Sequence, residues 1–239
     1  MDRTPYSRLA EVYDLGWGDF AESSQMFVLR TLKRQGIECG RIVELACGTG
    51  ILAIFLARSG HTILGVDRSP EMVVIAKEKA QYVPGIEFIL GDMRALNLEP
   101  GFDAALCMFD SLNYLTVPEH VQETFASVSS VLRDQGVFIF DFNRPLIYSA
   151  HDGETLKRHL EHGILLQGLK YDVAKRMART TFRFPDGEVE IHDQRAYELD
   201  EIEPLLESAK LSLKECYSDF NRRTVTSASE RLICVCRKE

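Results

Sequence analysis

Val43-Glu44-Leu45-Ala46-Cys47-Gly48-Thr49-Gly50 carries a short apolar run into two closely spaced glycines. An apolar helical pattern, Ile51–Ser59, follows directly. The stretch therefore reads as strand, tight turn and helix. Gly48 and Gly50 let the backbone come close to a ligand, while the loop amides and the helix N-terminus point towards it. Seventeen residues after Gly50, Asp67 ends a second apolar strand, Thr62–Asp67. An acidic acceptor at that place can take both hydroxyls of a ribose. Together, and in this order, the turn and the aspartate point to a nucleoside ligand. Gly48-Thr49-Gly50-Ile51-Leu52-Ala53 also matches the dinucleotide fingerprint G-x-G-x-x-A, which leaves a nicotinamide-dependent oxidoreductase as an alternative. Such turns usually lie near the start of the chain, whereas about 40 residues precede this one.

Outward from the turn, strands and helices alternate. Ser69 caps the helix after the second strand, with Pro70 at its first position. Ile86–Leu90 and Ala104–Phe109 are further strands, Pro118–Leu132 is a helix, and Gly136–Phe142 is a fifth strand. That alternation predicts a parallel sheet with helices on its two faces. On the N-terminal side, residues 5–15 and 19–35 read as helices separated by a break at Gly16-Trp17-Gly18. Beyond residue 145 the pattern changes. Three strands are expected between about 160 and 198, with Pro185-Asp186-Gly187 as a hairpin turn. Helix Glu201–Lys210 and strands Ser212–Tyr217 and Arg231–Cys236 then close the sheet. The expected division is an N-terminal helical cap (1–38), a ligand-binding core (39–144), an antiparallel β insertion over the second substrate (145–198), and a C-terminal helix with closing strands (199–239).

The chain has 239 residues, 45% hydrophobic and 27% charged, enough to bury a sizeable core. Its net charge of −8 disfavours nucleic-acid and anionic-membrane partners, although Lys170–Arg179 forms a local basic cluster. The six cysteines are scattered without a Cys-x-x-Cys pair. Cys234 and Cys236 fall on one face of a strand. Reduced, mostly buried thiols and a cytoplasmic location are expected. No apolar run is long enough to span a bilayer, and Met1-Asp2-Arg3-Thr4-Pro5 does not read as a secretory leader. No metal-spaced cluster is present, so no metal is expected.

Five segments in order resemble the motifs of class I S-adenosylmethionine-dependent methyltransferases. They are Glu44–Gly50; Gly65-Val66-Asp67-Arg68-Ser69-Pro70-Glu71-Met72; Gly91-Asp92-Met93-Arg94; Phe102–Leu115, which includes Cys107-Met108-Phe109-Asp110; and Leu132–Phe138. Weaker similarity extends to Tyr6-x-x-Leu9-Ala10-x-x-Tyr13-Asp14. The chain is most similar to small-molecule methyltransferases with a β insertion, including sugar N,N-dimethyltransferases. The resemblance implies a Rossmann-like seven-stranded sheet with the antiparallel insertion after the fifth strand, and S-adenosyl-L-methionine as cofactor.

Residue roles follow from it. Glu44 would reach the methionine ammonium through water, with Ala46, Gly48 and Gly50 lining the loop. Asp67 would hold the ribose, and Arg68 and Met72 would flank the adenine. Asp92 would accept from the adenine amino group, the Met93 N–H would meet a ring nitrogen, and the backbone at Met108 and Phe109 would face the methionine. Ala46 stands where many relatives carry a glycine, and Lys210 replaces a glycine before the sixth strand. In the sugar N-methyltransferases the tyrosine matching Tyr13 lies at the acceptor site, and a histidine stands where this chain has Tyr114.

Methyl transfer from a sulfonium is an in-line displacement, so the protein positions the acceptor and excludes water. It supplies a base only if the nucleophile arrives protonated. Tyr13, Tyr114 and His192 are the catalytic candidates; the alternative for the two tyrosines is a packed aromatic with its hydroxyl satisfied, and for His192 an exposed or satisfied strand residue. Trp17 and Phe20 either roof the acceptor or pack a hinge. Arg144 either holds an acceptor carboxylate or phosphate or forms a structural salt bridge. Cys47 reads as loop packing rather than a nucleophile. The function expected is methylation of a small molecule at nitrogen or oxygen. The insertion would cover the acceptor or form a homodimer contact. The non-enzymatic alternative is a cofactor-binding regulatory protein.

Overall fold

Strands β1 (Arg41–Leu45), β2 (Thr62–Asp67), β3 (Ile86–Leu90), β4 (Phe102–Cys107) and β5 (Leu132–Asn143) pair in parallel in the computed structural model, which describes residues 5–239. Residues 1–4 of the expected cap lie outside the described residues. After β5 comes the insertion, with strands β6 (Thr155–Leu160), β7 (Gly163–Asp172), β8 (Met177–Arg183) and β9 (Val189–Arg195). The chain then returns as β10 (Leu211–Tyr217) and β11 (Arg231–Lys238). The main sheet has the order β10-β11-β5-β4-β1-β2-β3, with β11 antiparallel to both its neighbours.

Alternation along these strands feeds two apolar layers. On β1, Val43 and Leu45 join one layer and Ile42 the other. On β11, Cys234 and Cys236 share the first, and Ile233 and Val235 the second. Helices α1 (Tyr13–Arg34), α2 (Ile51–Arg58) and α3 (Pro70–Ala80) cover the second layer with Phe27, Leu52 and Val73. Helices α4 (Pro118–Val131) and α6 (Leu199–Ser208) cover the first with Phe125 and Ile202. The Ser69 hydroxyl accepts the Met72 N–H, and Pro70 occupies the first turn of α3, as the sequence predicts.

Two local expectations are corrected. Helix α1 runs unbroken through Gly16-Trp17-Gly18. Tyr13 and Trp17, four residues apart, stack with centroids 5.6 Å apart and planes 9° apart. Gly18 is buried, and a Cβ there would meet Ile51 Cδ1 at an ordinary contact distance of 3.8 Å. Packing outweighs the modest helix cost of two glycines. The insertion has four strands rather than three, ordered β6-β7-β8-β9 and preceded by a short helix α5 (Pro145–Ala150). β6 is mostly exposed, so Thr-Leu-Lys-Arg-His-Leu lacks the alternation that would announce it. Pro185-Asp186-Gly187 turns β8 into β9, and the Asp186 carboxylate accepts the Glu188 N–H at 3.0 Å. Among the described residues no helix is long and apolar enough to cross a membrane.

Candidate active site: two cavities with a shared aromatic wall

The carboxyl ends of β1, β2 and β3 open onto a cavity of about 260 Å³. Strand ends are where parallel α/β sheets receive ligands. Ala46, Gly48, Asp67, Arg68, Met72, Asp92, Met93 and Phe109 all line it. Gly48 has φ +54, and a Cβ there would find nothing nearer than Met72 Sδ at 4.0 Å, so its backbone faces open space. Ala46 also adopts a left-handed φ of +50, which explains why glycine suits that place.

Asp67 Oδ2 accepts the Gly48 N–H at 2.8 Å and Oδ1 the Ser69 N–H at 2.9 Å. Each oxygen keeps a lone pair for a further donor. Burial pushes the Asp67 carboxyl above its usual value, partly offset by those amides. Asp92 is clasped by Arg94, which holds its carboxyl below the ordinary range.

Glu44 does not line the cavity. It is buried beneath the loop, its Oε2 has no hydrogen-bond partner, and burial, with the Asp67 charge adding, pushes it up to about 8. An unsatisfied buried carboxyl oxygen is a group that an ammonium reached across a water would complete. The open Gly48 backbone, the spare acceptors of Asp67 and the orphaned Glu44 oxygen together fit S-adenosylmethionine.

One of the expected loop contacts is corrected. Gly50 has φ +78, and a Cβ there would lie 2.6 Å from Phe88 Cζ. This glycine allows the turn and the close packing of β3, and it does not line the cavity. The Met108 side chain is buried in the core, and the contact expected at this position is one of its backbone. Cys47 is a buried thiol that burial pushes up, in keeping with packing.

A second cavity of about 480 Å³ lies between the main sheet, α1 and the insertion. Tyr6, Tyr13, Phe109 and Tyr114 line both cavities and so form their common wall. Trp17 closes the second cavity from α1, with Arg158 of β6 stacked 4.1 Å from its ring and donating to the Gly16 carbonyl. Phe20 is there too, under the Arg231 guanidinium at 4.4 Å. Arg231 bridges Asp110, at 3.0 Å, and the fully buried Asp141.

His192 of β9 is buried and joined at both ring nitrogens. Nδ1 meets Tyr114 Oη at 2.7 Å and Nε2 meets Glu190 Oε1 at 2.6 Å. Tyr114 Oη in turn meets Tyr6 Oη at 2.7 Å. Glu190 accepts the backbone N–H groups of Tyr6, Arg8 and Leu9. Burial raises its carboxyl, but His192 and these amides win and hold it below its usual value.

Arg144 lines neither cavity. It donates to Glu198 at 2.7 Å and to the carbonyls of Thr226 and Ser229, so the structural salt bridge replaces the expected acceptor contact. Four groups escaped sequence reasoning: Tyr6, Glu190, Arg231 and Asp110. For Glu190 a signal existed, since a carboxylate two residues from a histidine on a strand shares its face. Nothing local marks Arg231, which reaches its partners from β11.

The methyltransferase-domain family matches residues 42–136. A Geobacillus sp. (strain WCH70) protein provisionally named a methyltransferase is 31% identical over 90% of this chain and 91% of its own length. Glycine/sarcosine N-methyltransferase of Aphanothece halophytica is 28% identical over 94% of this chain and 85% of its own. An S-adenosylmethionine-dependent methyltransferase structure from Clostridium acetobutylicum superposes with a TM-score of 0.84 at 24% identity, covering 98% of this chain and 99% of that one, and so shares the fold.

Proposed function

The chain belongs to the class I S-adenosylmethionine-dependent methyltransferases, and on that premise we propose that it methylates a small molecule, at nitrogen or oxygen, held in the larger cavity. The observation that carries this reading is the shared wall. Tyr6, Tyr13, Phe109 and Tyr114 stand between the donor cavity and a cavity of a size usual for small-molecule sites. The relative from Aphanothece, named for glycine and sarcosine, supports an amine acceptor.

S-adenosylmethionine, when bound, supplies a methyl group already activated on a sulfonium. The protein's part is placement. Asp67 holds the ribose hydroxyls, and Glu44 balances the ammonium from beneath the loop. The aromatic faces at the wall attract positive charge. Helix α1 and the insertion sheet keep water from the acceptor. Tyr13 lies at the junction, where its hydroxyl can orient the acceptor; burial pushes that phenol up, so it stays protonated.

Calorimetric titration with S-adenosylhomocysteine, run beside NAD and NADP, tests the donor site. Saturable binding of S-adenosylhomocysteine alone is expected. A panel of alkylamines, phenols and carboxylic acids, followed by S-adenosylhomocysteine release, tests the acceptor class. Tyr13→Phe should lower turnover more than donor affinity, and equal turnover would reject its place at the acceptor.

A further inference from the structure

Five polar atoms between the N-terminal leader, residues 5–12, and the insertion are joined in one line. Tyr6 Oη, Tyr114 Oη, His192 Nδ1, His192 Nε2 and Glu190 Oε1 follow one another at 2.7, 2.7 and 2.6 Å across the hydrogen bonds. His192 is 2% exposed and Glu190 0%, so the line ends in a buried carboxylate rather than in water. The His192 ring is packed by Tyr6, Tyr114 and Phe182, with Glu190 as the charged group in contact with it. The other end opens at Tyr6 and Tyr114, on the wall between donor and acceptor.

We propose that Tyr114, His192 and Glu190 form a proton relay that deprotonates the methyl acceptor, and that the acceptor therefore belongs to the nucleophiles that arrive carrying a proton, amines and hydroxyl compounds, rather than carboxylates. The inference rests on the methyl-transfer reading above and adds the fate of the proton.

Glu190 fixes the direction of the relay. Its carboxylate accepts Nε2–H, which leaves Nδ1 as the imine nitrogen facing the Tyr114 hydroxyl. In the transfer the acceptor heteroatom bonds to the methyl carbon, and the carbon–sulfur bond breaks with its electron pair left on sulfur. The acceptor's proton passes to Tyr114 Oη as the phenol proton passes to His192 Nδ1. The imidazolium so formed faces the Glu190 carboxylate. Tyr114 remains a neutral phenol before and after the step. That agrees with the burial and the Asp110 charge that raise its pKa well above the usual value. Tyr114 is the group at the acceptor; His192 and Glu190 act through it and are positioning residues. Glu190 also takes three leader amides, so the relay is complete only with the leader docked.

The first measurement needs no acceptor. Nitrogen-15 spectra of histidine-labelled protein, saturated with S-adenosylhomocysteine near neutral pH, should show His192 as the neutral Nε2–H tautomer. Tyr114→Phe should move its Nδ1 resonance. An Nδ1–H tautomer, a standing imidazolium, or an Nδ1 signal indifferent to Tyr114→Phe overturns the relay. Failure of wild-type protein to bind S-adenosylhomocysteine would instead remove the donor reading. With an amine or phenol from the panel, His192→Gln and Glu190→Gln should each lower kcat by roughly 10²-fold with KM little changed, and Glu190→Asp should recover part of it. Faster turnover of a carboxylic acid than of any amine or phenol, or kcat unchanged in both variants, overturns the assignment. If Glu190→Gln fails to fold, the His192→Gln and Tyr114→Phe results decide the matter.

Discussion

The two cavities are built by opposite means. The donor cavity is assembled from consecutive strand ends, and its polar groups are backbone amides plus carboxylates placed by the turns after β1, β2 and β3. The acceptor cavity is assembled from side chains of the leader, α1, the segment after β4, the insertion and β11. Its hydrogen bonds join residues far apart in sequence, such as Tyr6 with Tyr114 and Tyr114 with His192. Charge is handled differently too. Beside the acceptor, buried Asp141 is paired with Arg231, whereas beneath the donor loop the Glu44 Oε2 has no partner. A loop shaped around its ligand can leave a carboxyl waiting for it, but a wall made of distant segments satisfies its own charges.

Breaking the acceptor side should have the largest effect. Arg231→Ala leaves Asp141 buried without its counter-charge, at a cost of about 3–5 kcal/mol in folding free energy; chemical denaturation would measure it. If the loss is under about 1 kcal/mol, Arg231 is not what holds the wall. On the donor side, Gly50→Ala forces a left-handed alanine against Phe88 and should cost about 2–4 kcal/mol. Gly48→Ala meets only the conformational strain, about 1–2 kcal/mol. Equal losses at the two would erase the distinction between a packing glycine and a lining glycine.

Asp67→Ala should weaken S-adenosylhomocysteine by about 1–3 kcal/mol, and unchanged affinity would remove Asp67 from the ribose. The donor side also carries a pH dependence. Glu44, held at about 8 in the folded protein, lies above its unfolded value of about 4.3. Its contribution to stability is full below the unfolded value and is lost as pH rises through about 8. Melting temperature should therefore fall over that window in the wild type and fall less in Glu44→Gln. Saturating S-adenosylhomocysteine should flatten the wild-type slope, since an ammonium beside Glu44 favours its carboxylate.

The same contrast governs what could be read from the residues. The main sheet follows from short-range patterns: an apolar run, two glycines, an Asp at a strand end, a Ser-Pro helix start. The donor cavity's lining at Gly48 and Asp67 follows from them, while Met72 came only from the family resemblance. Gly50 shows the limit, because turn and ligand contact give the same glycine, and only the Phe88 ring tells them apart. The acceptor side was legible in pieces. Tyr13, Trp17, Tyr114 and His192 stand out by type, but their joining depends on Glu190, which binds leader amides more than 180 residues away. β6 stayed hidden because an exposed strand needs no apolar alternation.

Helix α1 is a single rod of 22 residues, about 33 Å long. Its first two turns carry Tyr13, Trp17 and Phe20, while beside its far end Arg34 and Gln35 are fastened to Glu215 of β10. A stiff lever moves as one piece. The height of the aromatic roof is thus set partly by a clamp at the opposite end of the domain, and a change at Glu215 would be felt at the acceptor as a tilt.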